Sequence, residues 1–400
     1  MRYQIHYRRA AAFGLAAALM SSVGQSFFIG LFGASIQQEL VLTKSQWGAL
    51  YGVATGTSGV LMFWLGALAD RLTIRRAITF ALGVLGLGTL LMALASGSLM
   101  LLAGLFCLRL GGQGLTGHMA IVTATRYARH RGRSIATATF GFILGEALLP
   151  LGVTAMLGLT SWRWVWAGAA ALVVLVALPA LRMTARRLPR VSTHVDAQGI
   201  PVARLRRRHL LRRPTFYAVL SVVLVAPFVV TAVFLHLGAL SALRHWSAIQ
   251  VAQGFVGFAT TQAATTWLAG RWVDRGSMVV LFRLYLLPLA VGVLLAALAP
   301  PPMALWGLFL GLGATAGANS VVSASLWAEV FGVENLGMVR GVHTGLMVIA
   351  TAVSPIALGF ALEAAMPLST LAGGIALYAI LVPALAARWL TTPELPSEGQ

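Results

Sequence analysis

Apolar residues in this chain do not alternate with polar ones. They run together in stretches of bilayer length, separated by short polar breaks. A helix rises 1.5 Å per residue, so about 20 apolar residues cross the hydrocarbon core. Twelve such stretches follow one another from near the N-terminus to near Leu390. In the first half they fall at roughly 11–35, 46–69, 75–96, 98–124, 134–157 and 162–182. In the second half they fall at roughly 215–238, 248–273, 279–298, 303–327, 339–361 and 368–389. One long polar stretch, Thr184 to Arg213, interrupts them, and its Pro189, Asp196, Gly199 and Pro201 mark an exposed linker. The pattern predicts an all-α membrane protein of twelve transmembrane helices: a six-helix bundle over 1–183, a linker over 184–213 and a second six-helix bundle over 214–400. Arg2, Arg8 and Arg9 precede the first stretch as they would in a signal peptide, but the stretch is long and lacks a cleavage site, so it is read as the first span.

Composition agrees with lipid as the solvent. The chain is 58% hydrophobic and 10% charged, against roughly 25% charge in soluble domains, which excludes a large soluble domain. The formal charge of +19 would suggest nucleic acid in a soluble protein. Its distribution points elsewhere. Of 29 Lys and Arg, 25 lie in the N-terminal arm, the linker and the alternate loops on one side, and only Lys44, Arg163 and Arg244 lie on the other. Cytoplasmic loops carry such an excess, so both termini and the linker are expected in the cytoplasm, with the bilayer and no nucleic acid as partner.

Chemistry-bearing motifs are sparse. Cys107 is the single cysteine, which excludes an intramolecular disulfide and a cysteine-based metal site. Gly311 to Gly317 has the glycine content of a phosphate loop but no following lysine, and it lies within a span, where close helix packing accounts for it. With no metal, nucleophile or nucleotide-binding constellation, the reading is of a non-enzyme that needs no cofactor and is driven by an ion gradient.

An internal repeat gives more. Gly66-Ala67-Leu68-Ala69-Asp70-Arg71, with Arg75 and Arg76 beyond it, follows the second predicted span, and Gly270-Arg271-Trp272-Val273-Asp274-Arg275 follows the eighth. Each places a glycine four residues before an Asp-Arg pair at the same place in its half. A fainter echo links Arg133 to Pro150 with Arg340 to Pro355. These residues resemble the G-x-x-x-D-R-x-x-x-R-R loop of the major facilitator superfamily. The resemblance implies two pseudo-symmetric bundles rocking about a mid-membrane site in a protein that works as a monomer. It also implies a gating motif of Gly66, Asp70, Arg71, Arg75, Gly270, Asp274 and Arg275, in which Asp70 and Arg71 latch the cytoplasmic side. The plainer alternative is an interfacial Asp-Arg pair that anchors helix depth.

Ionisable groups at bilayer depth are costly and usually face a cavity or a partner. Arg109, in the fourth span, and Glu146, in the fifth, stand at comparable depth by residue count. Arg109-Leu110-Gly111-Gly112-Gln113-Gly114 is similar to the superfamily's R-x-x-Q-G with one residue inserted. Two roles compete for Arg109 and Glu146: a protonation site coupled to substrate, or a buried structural salt bridge. If the family architecture holds, spans one, four, seven and ten line the cavity, making Gln25, Ser26, Gln113, Asn319 and Ser320 candidates, with Tyr51 and His236 as further ones. His118 and His343 are weaker, because a lone histidine is more often a packing residue.

The expected function is a secondary transporter of a small organic solute, proton-coupled. Trp327-Ala328-Glu329-Val330-Phe331-Gly332 is similar to bacterial monocarboxylate and oxalate/formate carriers, which suggests an organic anion. Proton-driven export of an amphipathic drug-like compound is the alternative, and a transporter-like ligand sensor is the alternative of another class.

Overall fold

A computed structural model describes residues 2–65, 72–126, 131–186, 188, 207–275, 277–332 and 335–391. The Gly66–Arg71 motif and most of the linker lie outside these residues. All the regular structure described is helical, and twelve long segments account for most of it. Ten are long and apolar enough to cross a membrane: span 1 (Arg8–Gly30), span 3 (Ile74–Leu94), span 4 (Ser98–Ala124), span 5 (Ala136–Leu157), span 6 (Trp162–Arg186), span 7 (Pro214–Leu235), span 9 (Met278–Leu298), span 10 (Pro301–Phe331), span 11 (Met338–Glu363) and span 12 (Leu368–Leu390). Span 2 (Lys44–Leu65) and span 8 (Ala248–Arg275) complete the twelve and hold equivalent places in the two halves. Side chains such as Trp64, Leu175 and Phe360 stand 60–71% exposed. A water-soluble fold would bury such residues, and a lipid-facing surface displays them.

Three departures from regular helix matter. Span 1, predicted as continuous, stops at Ser21, passes through a 3-10 turn at Ser22–Gly24 and an extended Gln25 (φ −86°, ψ 155°), and restarts at Ser26. Span 4 changes to a π-helix over Arg109–Thr116. Span 7 breaks at Leu224 and again at His236, beyond which the short helix Leu237–Arg244 follows. Pro150 and Pro355 lie inside spans 5 and 11, where a membrane helix tolerates the lost N–H because neighbours satisfy the freed carbonyl.

The contacts form two compact units, and these cut across the sequence halves. Unit 1 comprises Met1–Gly199 with Thr231–Ala259 and Val348–Ala365, so it holds spans 1 to 6 together with the ends of spans 7, 8 and 11 next to the Arg-poor loops. Within it, Phe255 packs on Phe27 and Phe234 with centroids 5.8 and 4.8 Å apart. Gly30 lies so close to the Phe234 carbonyl that no Cβ fits between them. Unit 2 comprises Ile200–Val230, Thr260–Met347 and Met366–Gln400. There Tyr285 and Tyr378 donate to the carbonyls of Val222 and Ser221 at 3.0 and 3.1 Å. Trp327 is fully buried among Phe216, Phe331 and His343.

Candidate functional site

The site grows out of the two helix breaks in unit 1. Gly111, Gly112 and Gly114 carry no Cβ, and the Thr116 hydroxyl donates to the Gly111 carbonyl five residues back at 2.6 Å. A π turn takes in more residues than an α turn, so this segment absorbs the extra residue in Arg109–Gly114 without rotating the rest of span 4. Such turns concentrate at functional sites. The glycines also admit span 1. A Cβ on Gly112 would sit 2.6 Å from the Gly24 Cα, so the two backbones touch with nothing between them.

That contact brings the Gly24 carbonyl, outside the helical ladder because of the break, within reach of Arg109. Nη1 donates to it at 3.0 Å and Nε donates to the Thr55 hydroxyl at 3.1 Å. The guanidinium carbon lies 5.0 Å from the centre of the Tyr51 ring, in cation–π range. Tyr51 and Thr55, four apart on span 2, share a helix face. Arg109 is only 4% exposed. A guanidinium has five N–H donors, and these two bonds leave three of them without a protein partner among the described residues. The Gln113 Oε1 is buried and likewise makes no hydrogen bond there. Ser26 and Thr55 stand near the buried Tyr51 hydroxyl, but neither forms a hydrogen bond of proper geometry with it. Buried polar atoms are nearly always satisfied, so the orphaned Tyr51 hydroxyl on a ring beside a fixed cation makes this a candidate ligand site.

Glu146 stands at the same level on span 5. Its neighbour Gly145 packs against the Ser22 side chain at the break in span 1. The hydrogen bonds of Arg109 nevertheless go to Gly24 and Thr55, not to Glu146. Gln25 is the extended residue of the break itself. Asn319 belongs to unit 2, half-buried with its Oδ1 unpartnered, and the nearby Ser320 donates to the Gly317 carbonyl of its own helix at 2.7 Å. His236 lies apart from the Arg109 cluster, at the Arg-poor end of unit 1, fully buried with Nε2 2.8 Å from the Pro355 carbonyl.

Of the expected gating residues, Arg75 occupies the first turn of span 3, and a Cβ on Gly270 would meet open space. Asp274 and Arg275 end span 8 with side chains outside the described residues, as are Gly66, Asp70 and Arg71 entirely. Sequence reading missed Gly24 and Thr55. The only signal for Thr55 was its spacing from Tyr51, and a glycine whose carbonyl matters gives none. It also missed a clasp on the Arg-poor side, where the Glu39 carboxylate accepts from Arg163 at 2.7 Å and from Trp162 Nε1 at 2.5 Å. Arg163 donates in addition to the Ala95 carbonyl at 2.5 Å. Among the described residues no cluster of three or more His, Cys, Asp or Glu could hold a metal.

Comparisons with known proteins agree with this architecture. A bacterial homologue of the human lysosomal transporter Spinster, in an inward-facing and unoccupied conformation, superposes with a TM-score of 0.68 at 17% identity, covering 97% of this chain and 95% of its own. The same homologue in an inward-facing, occupied conformation gives a TM-score of 0.67 at 18% identity, covering 96% of this chain and 93% of its own. A point mutant of the nucleoside transporter NupG gives 0.71 at 12% identity, covering 95% and 99%. At these identities the likeness is one of fold. No curated protein matches by sequence. A sequence profile described as the Major Facilitator Superfamily matches residues 14–355, most of the chain, in agreement with the twelve-helix architecture. This chain therefore belongs to the major facilitator superfamily, a multi-pass membrane protein of the secondary-transporter class.

Proposed function

We propose that this protein carries a small organic anion across a bacterial inner membrane in exchange for, or together with, protons. In this reading it works as a monomer with both termini in the cytoplasm. The observation that supports it is Arg109, a buried cation held in one orientation by Thr55, Gly24 and Tyr51 with three donors still open among the described residues. A guanidinium taken out of water is stable only with a partner for its charge. Its planar fork matches a carboxylate in two parallel hydrogen bonds. A carboxylate substrate would supply that charge partner, and the orphaned Tyr51 hydroxyl and Gln113 carbonyl oxygen would take polar groups beside it.

Glu146 serves as the proton site in this reading. It lies at the level of Arg109 on a neighbouring span yet outside the hydrogen bonds of the guanidinium. A carboxyl group at bilayer depth can load and unload a proton as the site changes its access to water.

Proteoliposome counterflow with a panel of carboxylates and of cationic dyes tests the proposal. Carboxylates should exchange and dyes should not. Arg109→Gln should abolish exchange. Glu146→Gln should keep exchange while removing the acceleration by an imposed pH gradient. Exchange of cationic dyes, undisturbed by Arg109→Gln, would replace this reading with drug export.

A further inference from the structure

His236 directly follows span 7, with φ −98° and ψ 18°, and its ring is fully buried. The Pro355 carbonyl, 2.8 Å from Nε2, can only accept, so Nε2 carries the ring proton and donates. Nδ1 then holds a lone pair, and it makes no hydrogen bond among the described residues. The preceding carbonyl, that of Leu235, accepts from Trp47 Nε1 of span 2 at 3.0 Å. Two consecutive residues of span 7 are thus tied to span 11 and span 2. Span 2 lies directly against the same Pro355 carbonyl, because Gly48 presents no side chain there. All of this lies within unit 1, at its Arg-poor face.

We infer that His236 is a latch for this face which closes only when its imidazole is neutral, so that acid on this side holds the gate open. Protonation would place a second N–H at Nδ1, where no acceptor stands, and a full charge in a buried site. The charged groups around it do not compensate. Lys44 of span 2 and Glu363 of span 11 act on the ring with opposite signs. The Glu363 carboxylate accepts from the Ser45 N–H at 3.0 Å. Glu39, on the short helix Gly33–Glu39 that packs against Leu237–Arg244, is engaged by Arg163 and Trp162. Arg244 and His245 follow on the segment of His236 itself and add no acidic group to it. When the face opens to water, His236 becomes an ordinary imidazole with a pKa of about 6.5. It must shed its proton before the gate shuts, so it positions the gate and does not carry protons through it.

The test uses the full chain in nanodiscs with Cys107→Ala and spin labels at Leu159→Cys and Leu243→Cys, both exposed positions of unit 1. Double electron–electron resonance gives their separation between pH 8 and pH 5. The native chain should show a short distance at pH 8 and a growing longer one towards pH 5, the change setting in below about 6.5. His236→Gln keeps an N–H donor and cannot titrate, so its short distance should persist throughout. Trp47→Phe removes the neighbouring bond only; it should raise the long-distance population at every pH while keeping the transition. A native distribution that ignores pH, or a folded His236→Gln chain that opens at the native midpoint, overturns the inference. If His236→Gln does not fold, the native titration and Trp47→Phe still decide it. The readout is a distance, so failure of the carboxylate reading would leave it untouched.

Discussion

Substituting Gly48 by alanine should hold the Arg-poor face open. The new methyl would sit 2.5 Å from the Pro355 carbonyl oxygen and 2.9 Å from its carbon. Ordinary contact begins near 3.4 Å, so spans 2 and 11 must part by about 0.9 Å. Both obstructing atoms are backbone in the middle of a helix, so no rotamer change relieves the overlap. Overpacking of this kind costs about 1–3 kcal/mol. The cost falls on the closed state alone, because the contact exists only there. At about 1.4 kcal/mol per factor of ten, the equilibrium moves by roughly five-fold to a hundred-fold toward the open form. A displacement of that size is also enough to carry the 2.8 Å bond from His236 to Pro355 out of hydrogen-bond range. Span 2 supplies its own control. A methyl on Gly56 would find its nearest neighbour, the Ala352 methyl, at 3.8 Å, an ordinary contact. The assay is labelling of Ile356→Cys by a membrane-impermeant maleimide in a Cys107→Ala background, since Ile356 packs on span 2 at Gly52. Gly48→Ala should accelerate labelling at least about five-fold, and Gly56→Ala should not change it. Equal rates for the two variants would refute the argument that the seal rests on this backbone contact.

Two further outcomes follow from the same geometry. Thr55→Val removes the Nε partner of Arg109 while keeping the shape, and a hydrogen bond to a charged group contributes about 1.5–3 kcal/mol; the apparent KM for a transported carboxylate should rise ten-fold or more with the maximal rate little changed. Arg163, with Trp162 assisting, holds the Glu39 carboxyl below the usual carboxylate range. A depressed folded-state pKa stabilises above the unfolded value, near 4.5, and that stability is lost as pH falls through the folded value. Glu39→Gln should therefore lower the melting temperature modestly from pH 7 to about 5, the pair being half-exposed, and the gap should close below about pH 4. A gap that persists in acid would place the effect in packing instead.

Apolar runs of bilayer length read directly as helices, because a membrane forces every backbone polar group into an internal hydrogen bond. The twelve spans were therefore legible. The breaks were not. Ser22 to Gln25 contains nothing a membrane helix cannot hold, and the turn there is set by contact with span 4 rather than by local propensity. The residue inserted after Arg109 was visible in the sequence, but its reading as a π turn needed coordinates. Counting rise per residue placed Arg109 and Glu146 at one level. Which group each side chain meets depends on rotation about the helix axis, and the π turn and the break in span 1 both alter that. His236 was picked out by its residue type alone, whereas its partner is a backbone carbonyl, to which sequence is blind.

The polar ties of the closed face are few, and a carrier requires ties that its substrate can shift. Three hydrogen bonds reach from span 2 or span 7 across unit 1: Trp47 to Leu235, His236 to Pro355 and Ser45 to Glu363. At about 1 kcal/mol net each they contribute roughly 3 kcal/mol. The glycine contacts add close fit but little apolar area, since a residue without a side chain has none to bury. A carboxylate taking two charge-assisted bonds from the open donors of Arg109 would gain a comparable amount, about 1.5–3 kcal/mol per bond before the costs of binding. A ligand shifts a conformational equilibrium only by its difference in affinity for the two states. The polar part of this seal, made of backbone carbonyls, an indole and an imidazole, lies within the reach of a small solute, and the packing of Phe27 on Phe255 is the apolar part that must part with it.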